Sequence, residues 1–157
     1  MVHGVIEDLS PAQLTTRLDS DANTIAWLVW HLSRIEDDHV SEVAGQPQVW
    51  TSDGWSRRWG LKLDDGDTGF GHSADQVAAV TGDAELLRGY FDAVHDMTMR
   101  FVRDLSDADC DRIVDDNWDP PVTLGVRLIS VAGHNFEQVA QADFIRGVLQ
   151  RQRRGSA

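Results

Sequence analysis

NTIAWLVWHLSRIEDDHV, residues 23–40, decides the fold. Ile25, Leu28, Leu32 and Ile35, then His39 and Val43, recur every three to four positions, the period of one face of an α-helix. Asn23 is a good N-cap, and Gly45 with Pro47 stops the pattern, which predicts a helix over 24–44. Two further segments carry the same period. Leu86, Leu87, Tyr90, Val94, Met97, Phe101 and Val102 predict a helix over 83–105, and Leu124, Leu128 and Val131 open one over 123–150. A short element at 2–9 precedes Ser10-Pro11, where Ser10 and Gln13 have the spacing of a capping box. Strongly alternating segments are absent, and no internal repeat is found. The expectation is an all-α protein: an up-down four-helix bundle over 1–150 with long loops and a short first helix, followed by a basic tail at 151–157.

Composition bounds the function. A chain of 157 residues with 41% hydrophobic and 25% charged residues suits one globular domain with its own core. A net charge of -12 repels phosphate backbones and argues against nucleic acid. The arginines at 151, 153 and 154 read as a solvated helix end, placed where a cation suits the helix dipole. MVHGVIEDLS lacks the pattern of a signal peptide, and no apolar run approaches the ~20 residues of a membrane span. The single cysteine, Cys110, excludes an internal disulfide framework and fits a reducing compartment, so a cytoplasmic location is expected. Cys110 lies in the acidic run DADCD, where neighbouring carboxylates disfavour a thiolate, which argues against a nucleophile.

The segment 46–73 contains Trp50, Trp55, Trp59 and the run DDGDTGFGH, and it reads as one long loop. A loop of that length in a compact domain is usually functional or mobile. Its acids Asp64, Asp65 and Asp67 lack the spacing and closing glutamate of a calcium loop. A second loop, 106–121, ends at Asp119-Pro120-Pro121.

The candidate site lies on the two strongest helices. His31 sits at the edge of the Leu28/Leu32/Ile35 stripe. On the last helix His134 and Gln138, four apart, share a face, with Gln141 continuing a polar strip on its flank. Facing helices of a bundle are where metal sites are built, and His31, His134 and Gln138 would leave coordination positions open. The residues alone leave the alternative standing: a histidine on an apolar flank is commonly a hydrogen-bonded core residue, and glutamine is a poor ligand beside imidazole. Asp38 reads as a solvated acid and His39 as a packed or capping histidine. His3, His72 and His95 read as surface residues.

The quoted helix, the stretch QVWTSDGWSRRWGL with DTGFGHS, then WDPPVTLGVRLISV and QADFIRG together resemble the DinB-like superfamily. The nearest branch is that of mycothiol-dependent maleylpyruvate isomerase. The resemblance runs from about Leu9 to Leu149. It implies the DinB bundle and a divalent metal, zinc or nickel, held by three histidines. Of those positions, His31 and His134 match two, and Gln138 occupies the third, where this chain departs from the family pattern. The resemblance further implies a thiol-dependent transferase or isomerase, with a low-molecular-weight thiol and a small-molecule substrate as partners and the Trp50–His72 loop as a cap. The family's first helix is usually longer than this chain allows, which implies a late start or cover from another subunit.

A rival expectation is a metal-free helical module that binds a small ligand or a partner. Trp30 points away from the Leu28/Leu32/Ile35 stripe, which predicts an exposed aromatic and, through it, a homodimer interface.

Overall fold

The structure is a computed structural model and describes residues 1–155. Helix α1 is Val2–Ile6 and α2 is Pro11–Leu14, the latter closed by the expected capping box between Ser10 and Gln13. The central helix, α3, is Ile25–Ala44. Thr24 caps it in place of Asn23: its side-chain oxygen accepts the Trp27 N–H at 3.0 Å. Gly45, at φ 65°, ends it in the left-handed conformation that glycine adopts without penalty. The two other long helices are α7, Ala84–Arg103, capped by Asp83, and α8, Leu124–Gly155. Helix α8 therefore carries the arginines of the expected basic tail in its last turns, while residues 156–157 lie outside the described residues.

Helix α3 packs against both α7 and α8, and α1 touches all three. This is the expected all-α arrangement, with one quarter of the bundle supplied by a helix of 5 residues. Beside α1 the three helices α3, α7 and α8 leave an open cavity of about 560 Å³, lined by Val40, Phe91, Val102, Leu128, Val131 and Phe136 among others.

The loops hold more structure than the sequence pattern shows. Within 46–73 lie two short helices, α4 (Val49–Ser52) and α5 (Trp55–Trp59), and α6 (Ala74–Ala79) follows. The second loop folds as a 3-10 turn at Asp107–Asp111 and an antiparallel pair, β1 (Ile113–Asp115) with β2 (Val122–Thr123).

Trp30 corrects an expectation. It is fully buried, in edge contact with Trp50 and stacked on His72 at 5.8 Å between ring centroids. The reason is that segment 46–73 folds back over α3, so that nearly every residue from Ile25 to Asp37 is buried, polar ones included. A single apolar stripe does not describe a helix covered on most of its faces. Trp30 is thus part of the core and offers no surface to a second subunit.

What holds that segment down is a buried polar hub. Arg34 and Asp37 are both fully buried on α3, with Arg34 Nη1 3.6 Å from Asp37 Oδ2. Arg34 donates to the backbone carbonyls of Asp65 and Asp67, at 3.0 Å each, and to the Gln48 side chain. Asp37 accepts from the backbone N–H groups of Val49 and Trp50 at 2.8 and 2.7 Å and from the Tyr90 hydroxyl at 2.8 Å. Trp50, Trp55 and Trp59 close around Tyr90, with centroids 5.0 to 6.1 Å from its ring. Burial and the Asp37 carboxylate hold the Tyr90 hydroxyl well above its usual pKa, against the pull of Arg34, so it stays a hydrogen-bond donor.

Candidate metal centre

Two of the three sequence-predicted residues meet, and the third lies a turn away on α8. His31 is 5% exposed on α3, and its ring meets that of His134 on α8 edge-on, centroids 4.9 Å apart. Gln138 lies one turn beyond His134 on the same flank of α8.

The hydrogen bonds assign the free atoms. His31 Nδ1 lies 2.5 Å from the Thr68 carbonyl, so this nitrogen carries the proton and donates, and Nε2 keeps the lone pair. A backbone carbonyl holding one ring nitrogen is the usual way of orienting a histidine whose other nitrogen ligates a metal. His134 Nε2 and Gln138 Oε1 are both buried and have no hydrogen-bond partner. Buried polar atoms in native structures are almost always paired, and leaving one unpaired costs about 1–3 kcal/mol. The Gln138 oxygen is an acceptor, and His134 Nε2 is one in the tautomer protonated at Nδ1; one turn apart, with the His134 ring against that of His31, their chemistry fits a divalent cation. Among the described residues no group of three or more His, Cys, Asp or Glu side chains is placed to hold a metal, so a site here would need a donor of another kind.

Electrostatics favours neutral imidazoles. Burial pushes the His31 pKa down to about 4, with nearby His134 and His72 adding to the shift and the Thr68 bond opposing it. Burial likewise lowers His134. Neutral rings are the form that ligates. These shifts also set a pH dependence of folding. The unfolded chain takes up these protons near pH 6.5, whereas folded His31 resists until about 4. Stability is therefore complete above pH 6.5 and falls as pH drops toward 4. In metal-free protein the thermal midpoint should decline over that window, and His31→Asn should flatten the decline; identical profiles would contradict the assignment.

The 46–73 segment supplies the rest of the wall, and His72 corrects a second expectation. It is not a surface residue: its side chain is 3% exposed, Nε2 lies 2.9 Å from Asp67 Oδ1, and Nδ1 accepts the Trp27 indole N–H at 3.1 Å. His72 and the Gly69 N–H stabilise the Asp67 carboxylate and, against its partial desolvation, leave its pKa below the usual value. Trp27 in turn stacks on His31 at 4.5 Å. His31 is thus clamped between Trp27 and the Thr68 carbonyl, in a turn that Asp67 and His72 brace. Gly69 completes the clamp. It has φ +91°, and a Cβ there would lie 2.9 Å from both His31 Nδ1 and the Trp30 ring. Gly69→Ala is expected to cost about 1–3 kcal/mol and to displace the turn from His31; a parent-like melting curve and unchanged His31 NMR shifts would rule the clamp out.

The other polar candidates lie elsewhere. His39 shares a hydrogen bond with Arg127, and Asp38 is half-buried and accepts from Gln48, so it is a pinned acid and not a solvated one. His3 and His95 are exposed as expected, yet partnered, His3 by Asp92 and His95 by a 3.7 Å approach to Glu36. Gln141 is exposed on α8 and donates to the Glu137 carbonyl. Asp64 and Asp67 cap their own turns through the N–H groups of Gly66 and Gly69.

The first long helix of the bundle and the last one thus meet at His31 and His134, as in helical bundles that present side chains between facing helices. The model of the DinB superfamily matches residues 1–142, and the chain belongs to that superfamily. It is also similar to a crystal structure described as the conserved protein of locus from Enterococcus faecalis, with a TM-score of 0.85 and 26% identity over 92% of this chain and 88% of that one. A comparison with curated proteins finds no match. No helix among the described residues is long and apolar enough to cross a membrane.

Proposed function

We propose that this protein binds a divalent metal, zinc or nickel, through His31 Nε2, His134 Nε2 and Gln138 Oε1, and that the site serves a thiol-dependent transferase or isomerase of the mycothiol type. The observation that carries the reading is the pair of buried, partnerless atoms, His134 Nε2 and Gln138 Oε1, on the helix whose His134 ring meets that of His31. Three protein donors leave positions open, as in catalytic sites and unlike closed structural ones. When bound, a divalent ion supplies the charge that holds a coordinating thiol as thiolate at neutral pH. The chain's own contribution is to fix the two imidazoles, keep them neutral and wall the cleft with Trp27 and the Thr68–His72 turn. The single cysteine, half-buried Cys110, fits a protein of the reducing cytoplasm that takes its thiol from outside the chain.

Cobalt(II) reports on this reading directly. Protein loaded with cobalt should develop a thiolate-to-cobalt charge-transfer band in the near ultraviolet when mycothiol is added, and His31→Ala should not. A cobalt spectrum indifferent to the thiol would remove the thiol from the function. The metal-free binding module is the second reading, and it is favoured by the amide at position 138, a weak donor for metals that prefer imidazole.

A further inference from the structure

Glu36 and Asp37 are neighbours on α3, both buried, and they differ in what balances their charge. Asp37 has the buried guanidinium of Arg34 at 3.6 Å, two backbone N–H groups and the Tyr90 hydroxyl. Glu36 is only 4% exposed, yet no arginine or lysine among the described residues pairs with it. Its Oε2 accepts from the Asn135 amide at 2.6 Å. Its Oε1 has the His95 ring alone, with Nδ1 3.7 Å away on a half-exposed side chain that is charged only when protonated. Buried charges are as a rule paired with another charge or with a metal ion.

The surroundings decide which cation fits. Glu36, Thr98 and Asn135 line the same cavity of about 560 Å³ among α1, α3, α7 and α8. The Thr98 hydroxyl and Asn135 Oδ1 are buried without a hydrogen-bond partner. Asn135 Nδ2 donates to Glu36, so the amide oxygen is left to accept. The polar lining thus offers a carboxylate, an amide oxygen and a hydroxyl, whereas Val40, Phe91, Leu128, Val131 and Val139 make the rest apolar. A few placed polar groups in an apolar cavity of this size is the form of a small-molecule site. No arginine or lysine lines it, and His3 at its rim is bonded to Asp92 at 2.6 Å. Neither His31, His134 nor Gln138 lines it either. At about 100° per residue, Glu36 is turned about 140° from His31 and Asn135 about 100° from His134, so the cavity lies on a different side of the α3–α8 contact.

We infer that this cavity is a second, metal-independent site, for a small organic amine. Its ammonium sits on Glu36 and is shared with Asn135 Oδ1 and the Thr98 hydroxyl, and its aryl or alkyl body lies against Phe91, Leu128 and Val131. An ammonium brings donors and no acceptor, which is what this lining lacks. A net charge of -12 draws cations toward the protein.

Three probes of one shape separate charge from body: phenylbutylamine, phenylbutanol and phenylbutyrate, each titrated into the full chain and followed by amide-resolved NMR. The expected order is amine tighter than alcohol, with no binding of the carboxylate and the largest shifts at Thr98, Val131 and Asn135. Glu36→Gln keeps the size of the side chain and an oxygen for Asn135. It should weaken the amine about tenfold or more, the worth of a hydrogen bond to a charged group, and leave the alcohol unchanged. His31→Ala should bind the amine as the parent does. An amine that does not bind at millimolar concentration, or that is indifferent to Glu36→Gln, overturns the proposal. So do shifts centred on His31 and Gln138, which would put the ligand in the cleft between the imidazoles. Amine and alcohol bound alike would make the cavity a receptor for apolar bodies or for a helix of another protein, and also overturns it. If Glu36→Gln does not fold, the order of the three probes on the parent decides by itself.

Discussion

Asp37→Ala should lower the unfolding free energy by about 3–5 kcal/mol, the cost of leaving one member of a buried ion pair without its partner. Asp37 and Arg34 are fully buried and together bind five backbone or side-chain groups of segment 46–73 and Tyr90. Removing the carboxylate strands the guanidinium in the core and unpairs the N–H groups of Val49 and Trp50. The loss should appear in urea denaturation followed by tryptophan fluorescence, because Trp50, Trp55 and Trp59 report on that segment. The double variant Arg34→Met/Asp37→Leu should recover part of the loss, because it removes both charges while keeping the volume filled. A loss below about 1 kcal/mol in Asp37→Ala would mean that the segment is held by its aromatic contacts alone. The consequence for the site is direct. The Thr68 carbonyl that orients His31 lies one residue past Asp67, whose own carbonyl is bonded to Arg34.

The second large effect is expected at the donors. Each ligand of a zinc site contributes on the order of 3 kcal/mol, so His134→Ala or His31→Ala should weaken metal binding by about a hundredfold or more. Gln138→Ala should cost less, because an amide oxygen is the weakest of the three donors. Gln138→His, which places a third imidazole one turn from His134, should tighten zinc binding. Isothermal titration of zinc into apo forms of the four variants ranks them. A Gln138→Ala that equals His134→Ala would show the amide to be a full ligand, and a Gln138→His that binds no better than the parent would show that position 138 does not face the ion.

The bundle was legible because long helices announce themselves by period and caps: 24–44 and 83–105 match α3 and α7 within two residues at each end, and Ser10 with Gln13 forms the expected capping box. The approach of His31 to His134 was legible as an edge histidine on one helix and a polar i, i+4 pair on another. Less legible was everything that depends on segment 46–73. Its contacts are non-local, and a glycine-rich stretch carries no period from which to read them, so Trp30 and His72 were placed on the surface and are found in the core. One signal was available. Arg34 and Asp37 sit three apart within a strongly apolar helix, and charges there are kept only when paired and covered. Reading them as a buried pair would have required a lid over that face of α3. On α8 the apolar residues spread over two faces, which blurs the core stripe.

The most direct measurement is elemental analysis of untagged protein, followed by titration of zinc and nickel into the apo form with His31→Ala alongside. One metal per chain, bound with a dissociation constant below about a micromolar, or about -8 kcal/mol, and lost in His31→Ala is the expected result. A parent that takes up neither ion, or a His31→Ala variant that binds as the parent does, would contradict a metal centre at His31, His134 and Gln138.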